Sequence, residues 1–284
     1  MIPPDAWALA AIATKFALYL GVLVSSGTIF TSLVFRLNFY HGMSTSFGIL
    51  GLCASILSFS LLGANLAGDA SGLFDGELLS LLWSTAAGTT LSFQLAGIAI
   101  LIFGLLLGQP GRGISALGGL IAIWSLSNIG HVAGYDKLLL KITLTTHLTA
   151  IAFWIGVLAP LRSLSLSKQT WPEAADLGQR FGEIAKFIVP LLIAAGIYMS
   201  FILVGSLNAL INTAYGQALI LKLTVVSLLL ALAAANKPRF IPGLHKNNPN
   251  AAKNLIRSIS AEWVAIFAIL GLTAVMTSSL TLPM

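Results

Sequence analysis

Eight long apolar segments, separated by short stretches that carry the charges, account for most of the 284 residues of this chain. With 57% hydrophobic and 8% charged residues, the chain has too few polar side chains to cover a water-soluble surface. A bilayer core of about 30 Å needs roughly 20 helical residues to cross it, whereas barrel strands are alternating segments of about 10 residues. The length and continuity of the segments therefore predict an all-α polytopic membrane protein, a bundle of eight transmembrane helices.

The predicted spans follow one another with short connections, which predicts one membrane domain over residues 1–284. They are Trp7 to Phe35, Phe47 to Leu66, Leu79 to Leu107, Ile114 to Ala133, Leu138 to Leu161, Phe181 to Val204, Ala214 to Ala235 and Ser258 to Leu280. The first span is expected to be a retained helix rather than a cleaved signal, because it lacks a basic leader and is too long for a signal core.

Lysine and arginine fall mainly in alternate connections, which indicates a topology. One set of connections contains Arg36, Arg112, Arg162, Lys168, Arg180, Lys237, Arg239, Lys246, Lys253 and Arg257. The other set contains only Lys137 and Lys141, with an acidic loop between the second and third spans. Because positive loops stay in the cytoplasm, both termini are expected to face the periplasm or the exterior. The net charge of +6 is then a topology signal, and we expect no nucleic-acid partner.

Two imidazoles and two thioethers are predicted to share one layer in the outer half of the membrane. At about 1.5 Å of rise per residue, His147 lies roughly 9 Å below the outer surface on the fifth span. Met199 on the sixth span and Met276 on the eighth lie at a similar depth, and His131 is shallower, near the outer end of the fourth span. Helix rotation is not fixed by sequence, so convergence of the four is a hypothesis.

The chemistry of this set is selective. Imidazole and thioether ligands suit Cu(I), whereas Mg, Ca and Mn prefer carboxylates and carbonyls. The structural alternatives are that the methionines fill packing gaps and that the histidines make interhelical hydrogen bonds. A functional alternative from another class is a b-type haem-binding membrane oxidoreductase that uses His131 and His147 as axial ligands.

Other ionisable groups in the membrane are candidates for coupling or relay, since each is costly in hydrocarbon. Lys15 and Lys222 fall in the outer layer, where they could gate the path, couple to protons, pair elsewhere or extend outward. In the inner half, Glu262 and Lys186 have similar depths, which predicts an ion pair; the alternative is a relay role for Glu262.

A soft relay toward the cytoplasm is a further hypothesis. The single cysteine, Cys53, lies in the inner half of the second span, and His41 and Met43 are predicted in the cytoplasmic loop before it. A lone buried cysteine is otherwise an inert small hydrophobe. No P-loop, HExxH, CxxCH or GxSxG motif is present in the sequence, so we expect no enzyme of those classes.

The order and spacing of several residues resemble a known family, the bacterial copper resistance D membrane proteins. The resembling residues are Gly130-His131, His147 with Trp154-Ile155-Gly156, Arg180-Phe181, Gly196, Thr213-Ala214-Tyr215-Gly216, Lys222, Asn236, Pro242, Arg257 and Glu262, together with Tyr19 and Gly27 in the first span. His131 and His147 stand at the family's histidine positions, and Lys222 and Glu262 at its polar membrane positions. The chain differs in having Val132 and Val157 where smaller residues are frequent.

The resemblance implies copper transport across the bacterial inner membrane, in the direction of import, with copper as the bound ion. It also implies a separate periplasmic copper-binding partner of the copper resistance C type. A homo-oligomer is compatible with such a membrane bundle.

Overall fold

The computed structural model describes residues 6–38, 41–135 and 137–283. Within these ranges the chain forms α-helices and short 3₁₀ turns and contains no strand, which confirms the all-α prediction. The helices are α1 (Ala6–Phe35), α2 (His41–Ala67), α3 (Gly76–Trp83), α4 (Ala86–Leu106), α5 (Arg112–Ser125), α6 (Leu138–Ser165), α7 (Trp171–Val204), α8 (Leu207–Asn212), α9 (Ala214–Arg239), α10 (Ile241–His245) and α11 (Pro249–Ser279).

Seven helical stretches among the described residues are long and apolar enough to cross a membrane. They contain α1, α2, α4, α6, α7, α9 and α11. The chain is therefore a multi-pass membrane protein. The helices continue further into the charged connections than predicted: α6 ends at Ser165 and α7 already begins at Trp171, so the predicted inner loop from 162 to 180 is mostly helical.

The predicted third span is two helices. The helix α3 ends at Trp83, and the Thr85 side chain accepts a hydrogen bond from the Ala87 amide to begin α4. Threonine at this position satisfies an otherwise unpaired amide of the first turn, so it starts a new helix as well as ending the old one. The predicted start at Leu79 is therefore wrong for the long helix, which begins at Ala86.

The predicted fourth span is shorter than expected. The helix α5 ends at Ser125, a 3₁₀ turn follows over Leu126–Asn128, and Gly130 adopts φ +69°, a left-handed conformation that glycine tolerates best. A second 3₁₀ turn, His131–Gly134, leads toward α6. His131 was predicted near the end of the fourth helix. It lies instead in a separate turn beyond that helix.

The helix α1 is the centre of the bundle and packs against α2, α5, α6 and α11. Its crossing with α6 depends on glycine, because a methyl group on Gly156 would lie 2.0 Å from the Gly27 carbonyl oxygen. A methyl group on Gly27 would lie 1.8 Å from the Ala152 carbonyl oxygen. Small residues allow such close backbone approach, which is how helices associate in lipid.

The two ends of the bundle are defined by contacts between connections. At one end the Arg112 guanidinium donates to the Asn38 side chain at 3.1 Å, which joins the α1–α2 and α4–α5 connections. At the other end the Lys15 ammonium donates to the Thr277 carbonyl at 2.6 Å, which joins the first part of α1 to the last turn of α11. The candidate residues of the outer layer lie at this second end.

Candidate functional site

His131 lies against the last turn of α11. Its Nε2 is 2.9 Å from the Met276 carbonyl oxygen, and its ring meets the edge of the Tyr215 ring with centroids 5.2 Å apart. The contact with Met276 is made to the backbone and satisfies one of the carbonyls left unpaired at a helix end. This geometry leaves Nδ1 as the ring nitrogen available for a ligand.

His147 lies on α6 and faces α7. Its Nδ1 is 3.1 Å from the Leu192 carbonyl oxygen, and its Cε1 is the nearest side-chain atom to the position of a methyl group on Gly196, at 3.6 Å. This is an ordinary van der Waals distance, so the imidazole lies beside the backbone of α7 at Gly196. The ring is also within electrostatic range of the half-buried Lys222 on α9.

The two methionines are buried in small apolar clusters next to the histidines. Met199 packs with Val132, the residue after His131, and with Leu140. Met276 packs in a separate cluster with Val204, Tyr215 and Leu219. The structure thus brings His131 to the backbone of Met276 and places Met199 one turn beyond Gly196, beside which His147 lies.

The hydrogen bond of His147 resembles the one that metal-binding histidines usually make. Such a histidine donates one ring N–H to a carbonyl or carboxylate, which fixes the ring and leaves the other nitrogen for the metal. In His147 the bonded atom is Nδ1 and the remaining one is Nε2. A neutral imidazole held in this way can bind a soft cation without burying an additional charge.

Among the described residues, no group of three or more His, Cys, Asp or Glu side chains is placed to hold a metal ion. A site in the outer layer would therefore need ligands of another type. The thioethers of Met199 and Met276, both less than one-tenth exposed, are the soft donors at hand.

Lys15 pairs with the Thr277 carbonyl, one residue along α11 from the carbonyl that His131 contacts. Its ammonium group donates to the Thr277 carbonyl, and the Tyr19 hydroxyl lies 3.1 Å from the Thr277 hydroxyl. A cation at the carboxyl end of a helix is also favoured by the helix dipole. The sequence does not predict Tyr19, Tyr215 or Thr277 as residues of this region. The only sequence signal is that Thr277 follows Met276.

The inner half of the bundle holds a buried carboxylate, and the predicted ion pair between Glu262 and Lys186 is wrong. Glu262 is 2% exposed and accepts hydrogen bonds from Asn236 Nδ2 at 2.7 Å and Trp154 Nε1 at 3.4 Å. Lys186 instead pairs with Glu183 on its own helix, at 2.5 Å. The prediction rested on the similar depth of the two groups in the membrane. Lys186, however, lies on an exposed side of α7, where it pairs with Glu183.

The residues of the hypothetical soft relay are not brought together with the histidines. The Cys53 side chain is exposed on α2, on the surface that faces lipid in a membrane. His41 and Met43 form the first turn of α2 rather than a loop, which corrects the sequence interpretation. Met43 packs against the apolar core.

Two acidic residues between α2 and α4, Asp69 and Asp75, serve as caps of short helical segments. Asp69 accepts a hydrogen bond from the Ser71 amide, and Asp75 accepts from the amides of Glu77 and Leu78. Hydrogen bonds from Ser71 lower the pKa of Asp69 below its ordinary value. These carboxylates therefore stabilise the turns that precede α4.

Comparison with known proteins supports the resemblance found in the sequence. Residues 175–276 match the family model of copper resistance protein D. The copper resistance protein D match includes Met199, Lys222, Glu262 and Met276, whereas His131 and His147 precede it.

Two curated proteins are also similar. The copper transport protein CutJ of Bacillus subtilis (strain 168) is 26% identical over 291 residues, covering 94% of this chain and 52% of the relative. The inner membrane protein YebZ of Escherichia coli (strain K12) is 29% identical over 143 residues, covering 49% of this chain and 49% of the relative. The chain thus spans about half the length of the curated relatives it matches.

No solved structure matches it significantly. The seven apolar helices and these relatives together indicate a multi-pass protein of the inner membrane.

Proposed function

We propose that this chain moves copper across the inner membrane, toward the cytoplasm. The observation that carries the proposal is the position of His147, whose Nδ1 is held by the Leu192 carbonyl while Nε2 remains for a ligand. The match to copper resistance protein D and the relative named a copper transport protein support copper as the transported ion. The family names describe transport and resistance rather than catalysis.

The proposed binding site lies in the outer half of the bundle. Its ligands are His131, His147 and one or both of Met199 and Met276, with Cu(I) favoured over Cu(II) because thioethers are soft. The ion has to leave as well as enter, so each site along the path must bind it only moderately. Lys222, within electrostatic range of His147, would limit the residence of a cation there.

The proposed topology has eight crossings and both termini outside. The eighth crossing is α5 together with the 3₁₀ turn after it, which span about 27 Å at standard rises and so nearly match the bilayer core. The alternation of basic connections supports this orientation. A separate periplasmic copper-binding protein would deliver the ion to the outer end, where His131 lies near the surface.

Metal analysis of the purified protein tests the proposed site. Copper should be retained by the wild type and lost from His131→Ala and His147→Ala, while the matched variant His245→Ala, altered at an exposed residue at the other end of the bundle, should retain it. In cells, His147→Ala should abolish copper accumulation and still insert in the membrane. Normal accumulation in that variant would overturn the proposal.

The absorbance spectrum of the same samples tests the haem alternative. The copper proposal expects no Soret band in protein purified from haem-replete cells. A Soret band that disappears in His131→Ala and His147→Ala would replace copper transport by a b-type haem function.

A further inference from the structure

The inner half of the bundle contains a carboxyl group that copper chemistry does not explain. Glu262 is 2% exposed, and no basic side chain of the described residues forms a salt bridge with it. A buried ionised carboxylate without a cation is unfavourable by several kcal/mol. Carboxylate and amide oxygens are also poor ligands for a soft cation such as Cu(I). The ion that suits this position is a proton.

The partners of Glu262 can accommodate both the ionised and the neutral acid. In the structure Asn236 Nδ2 donates to Glu262 Oε1 at 2.7 Å, and Trp154 Nε1 donates to Oε2 at 3.4 Å. Both bonds favour the ionised form. The remaining Asn236 atom, Oδ1, is buried and has no hydrogen-bond partner within the described part of the chain.

A half-turn of the Asn236 amide changes which form is satisfied. With Oδ1 in the place of Nδ2, the amide accepts a hydrogen bond from protonated Oε1, and Trp154 still donates to Oε2. Trp154 can only donate, so Oε1 is the oxygen that takes the proton in this arrangement. In the present orientation the buried Oδ1 lacks a partner, and after the half-turn the Nδ2 donors take its place without one among the described residues. One unpaired Asn236 group, which costs about 1–3 kcal/mol, therefore remains in either state, so this cost favours neither orientation.

The charged groups around this carboxyl lie at the cytoplasmic side of the proposed topology. On the elements that surround the inner part of α11 they are Arg162 of α6, Glu173, Asp176, Arg180, Glu183 and Lys186 of α7, Lys237 and Arg239 of α9, His245 of α10, and Lys253 and Arg257 of α11 itself. Lys237, the neighbour of Asn236, bonds to Glu183 at 2.6 Å on an exposed surface. In the proposed topology this surface lies toward the cytoplasm, so the route from cytoplasmic water to the buried amide would be short.

We propose that Glu262 and Asn236 form a proton-binding site in the inner half of the bundle, with Asn236 rotating between a donor and an acceptor orientation. The proton comes from cytoplasmic water and binds Glu262 Oε1. On the basis of the proposed copper transport, we further infer that this proton is exchanged for copper: it crosses the bundle and is released on the outer side as copper moves inward.

Infrared difference spectroscopy on the full chain in membranes tests the proton site without copper. The wild type should show the carbonyl stretching band of a protonated carboxylic acid, which decreases as pH rises. The band should be absent in Glu262→Gln and present in Glu183→Gln, a matched change at an exposed carboxylate. The bands of the Asn236 side-chain amide can be identified because Asn236→Ala lacks them. They should shift with pH together with the carboxylic acid band. Absence of the band in the wild type, its retention in Glu262→Gln, or its control by sodium instead of pH would overturn the site.

Proton movement during copper uptake tests the exchange. Copper entering proteoliposomes of the wild type and of Glu183→Gln should be accompanied by proton exit, and Glu262→Gln should lose this proton signal. A proton signal that persists in Glu262→Gln, or copper uptake by the wild type without one, would overturn the exchange. If the wild type carries no copper, the proposed function fails, and the infrared band alone decides whether the proton site exists.

Discussion

At the scale of single residues, the histidines of the outer layer have structural contacts as well as the proposed ligand role. His131 satisfies a carbonyl at the end of α11, and His147 satisfies one in α7. The residue types were evident from the sequence, but their partners were not, since rotation of a helix about its axis has no sequence signature in a helix that is apolar on all sides. The same uncertainty led to the wrong pairing of Glu262 with Lys186.

Glutamine at position 131 should separate the two roles of His131. His131→Gln keeps an amide N–H that can donate to the Met276 carbonyl but removes the imidazole ligand. We expect its thermal unfolding midpoint to stay near that of the wild type while copper is lost from the purified protein. Retained copper in this variant would show that His131 serves only the end of α11.

Leucine in place of either outer methionine should weaken copper binding without unfolding the bundle. Met199→Leu and Met276→Leu conserve volume, so the loss of stability should stay below about 1.5 kcal/mol. Loss of a thioether ligand should reduce copper affinity by at least about 10-fold in a competition assay with a coloured chelator. The control is Met43→Leu, in the first turn of α2, which should bind copper with the affinity of the wild type. If all three bind equally, the thioethers are packing residues.

At the scale of helices, length and hydropathy predicted where long helices occur, and polar residues determined where they end. Thr85 divides the predicted third span, and Gly130 helps to end the fourth. The charged connections were predicted as loops because they are polar. They continue as helix because nothing in them breaks an α-helix before Ser165 or after Trp171.

The crossing of α1 with α6 predicts a specific sensitivity to one methyl group. Gly156→Ala places a carbon 2.0 Å from the Gly27 carbonyl, so the helices must separate, at a cost of about 1–3 kcal/mol or more. Gly271→Ala is the matched control, because no atom lies within 4 Å of its added carbon. Thermal unfolding in detergent should show a lower midpoint for Gly156→Ala only. Equal midpoints would contradict the close crossing.

At the scale of the whole molecule, composition and charge were sufficient to predict a membrane bundle, and the structure and relatives agree. The number of crossings is less direct, since α5 is shorter than a standard span. The arrangement around α1 also could not be predicted, because helix neighbours in a bundle depend on small residues that recur throughout this chain.

Cysteine labelling tests the proposed orientation. In a Cys53→Ser background, a membrane-impermeant maleimide applied to spheroplasts, so that it reaches the outer face of the inner membrane, should label Ser71→Cys, in the outer loop, and not Lys246→Cys, in an inner connection. Both positions are exposed, so accessibility from each side decides the result. Labelling of Lys246→Cys in intact spheroplasts would reverse the topology and the direction of the proposed import.

Copper(I) flux into proteoliposomes tests the central claim most directly. Vesicles with the wild type or His245→Ala should accumulate copper faster than protein-free vesicles, and vesicles with His147→Ala should fall to the protein-free rate. Flux at the wild-type rate in His147→Ala, with equal protein incorporated, would contradict a transport path through this imidazole.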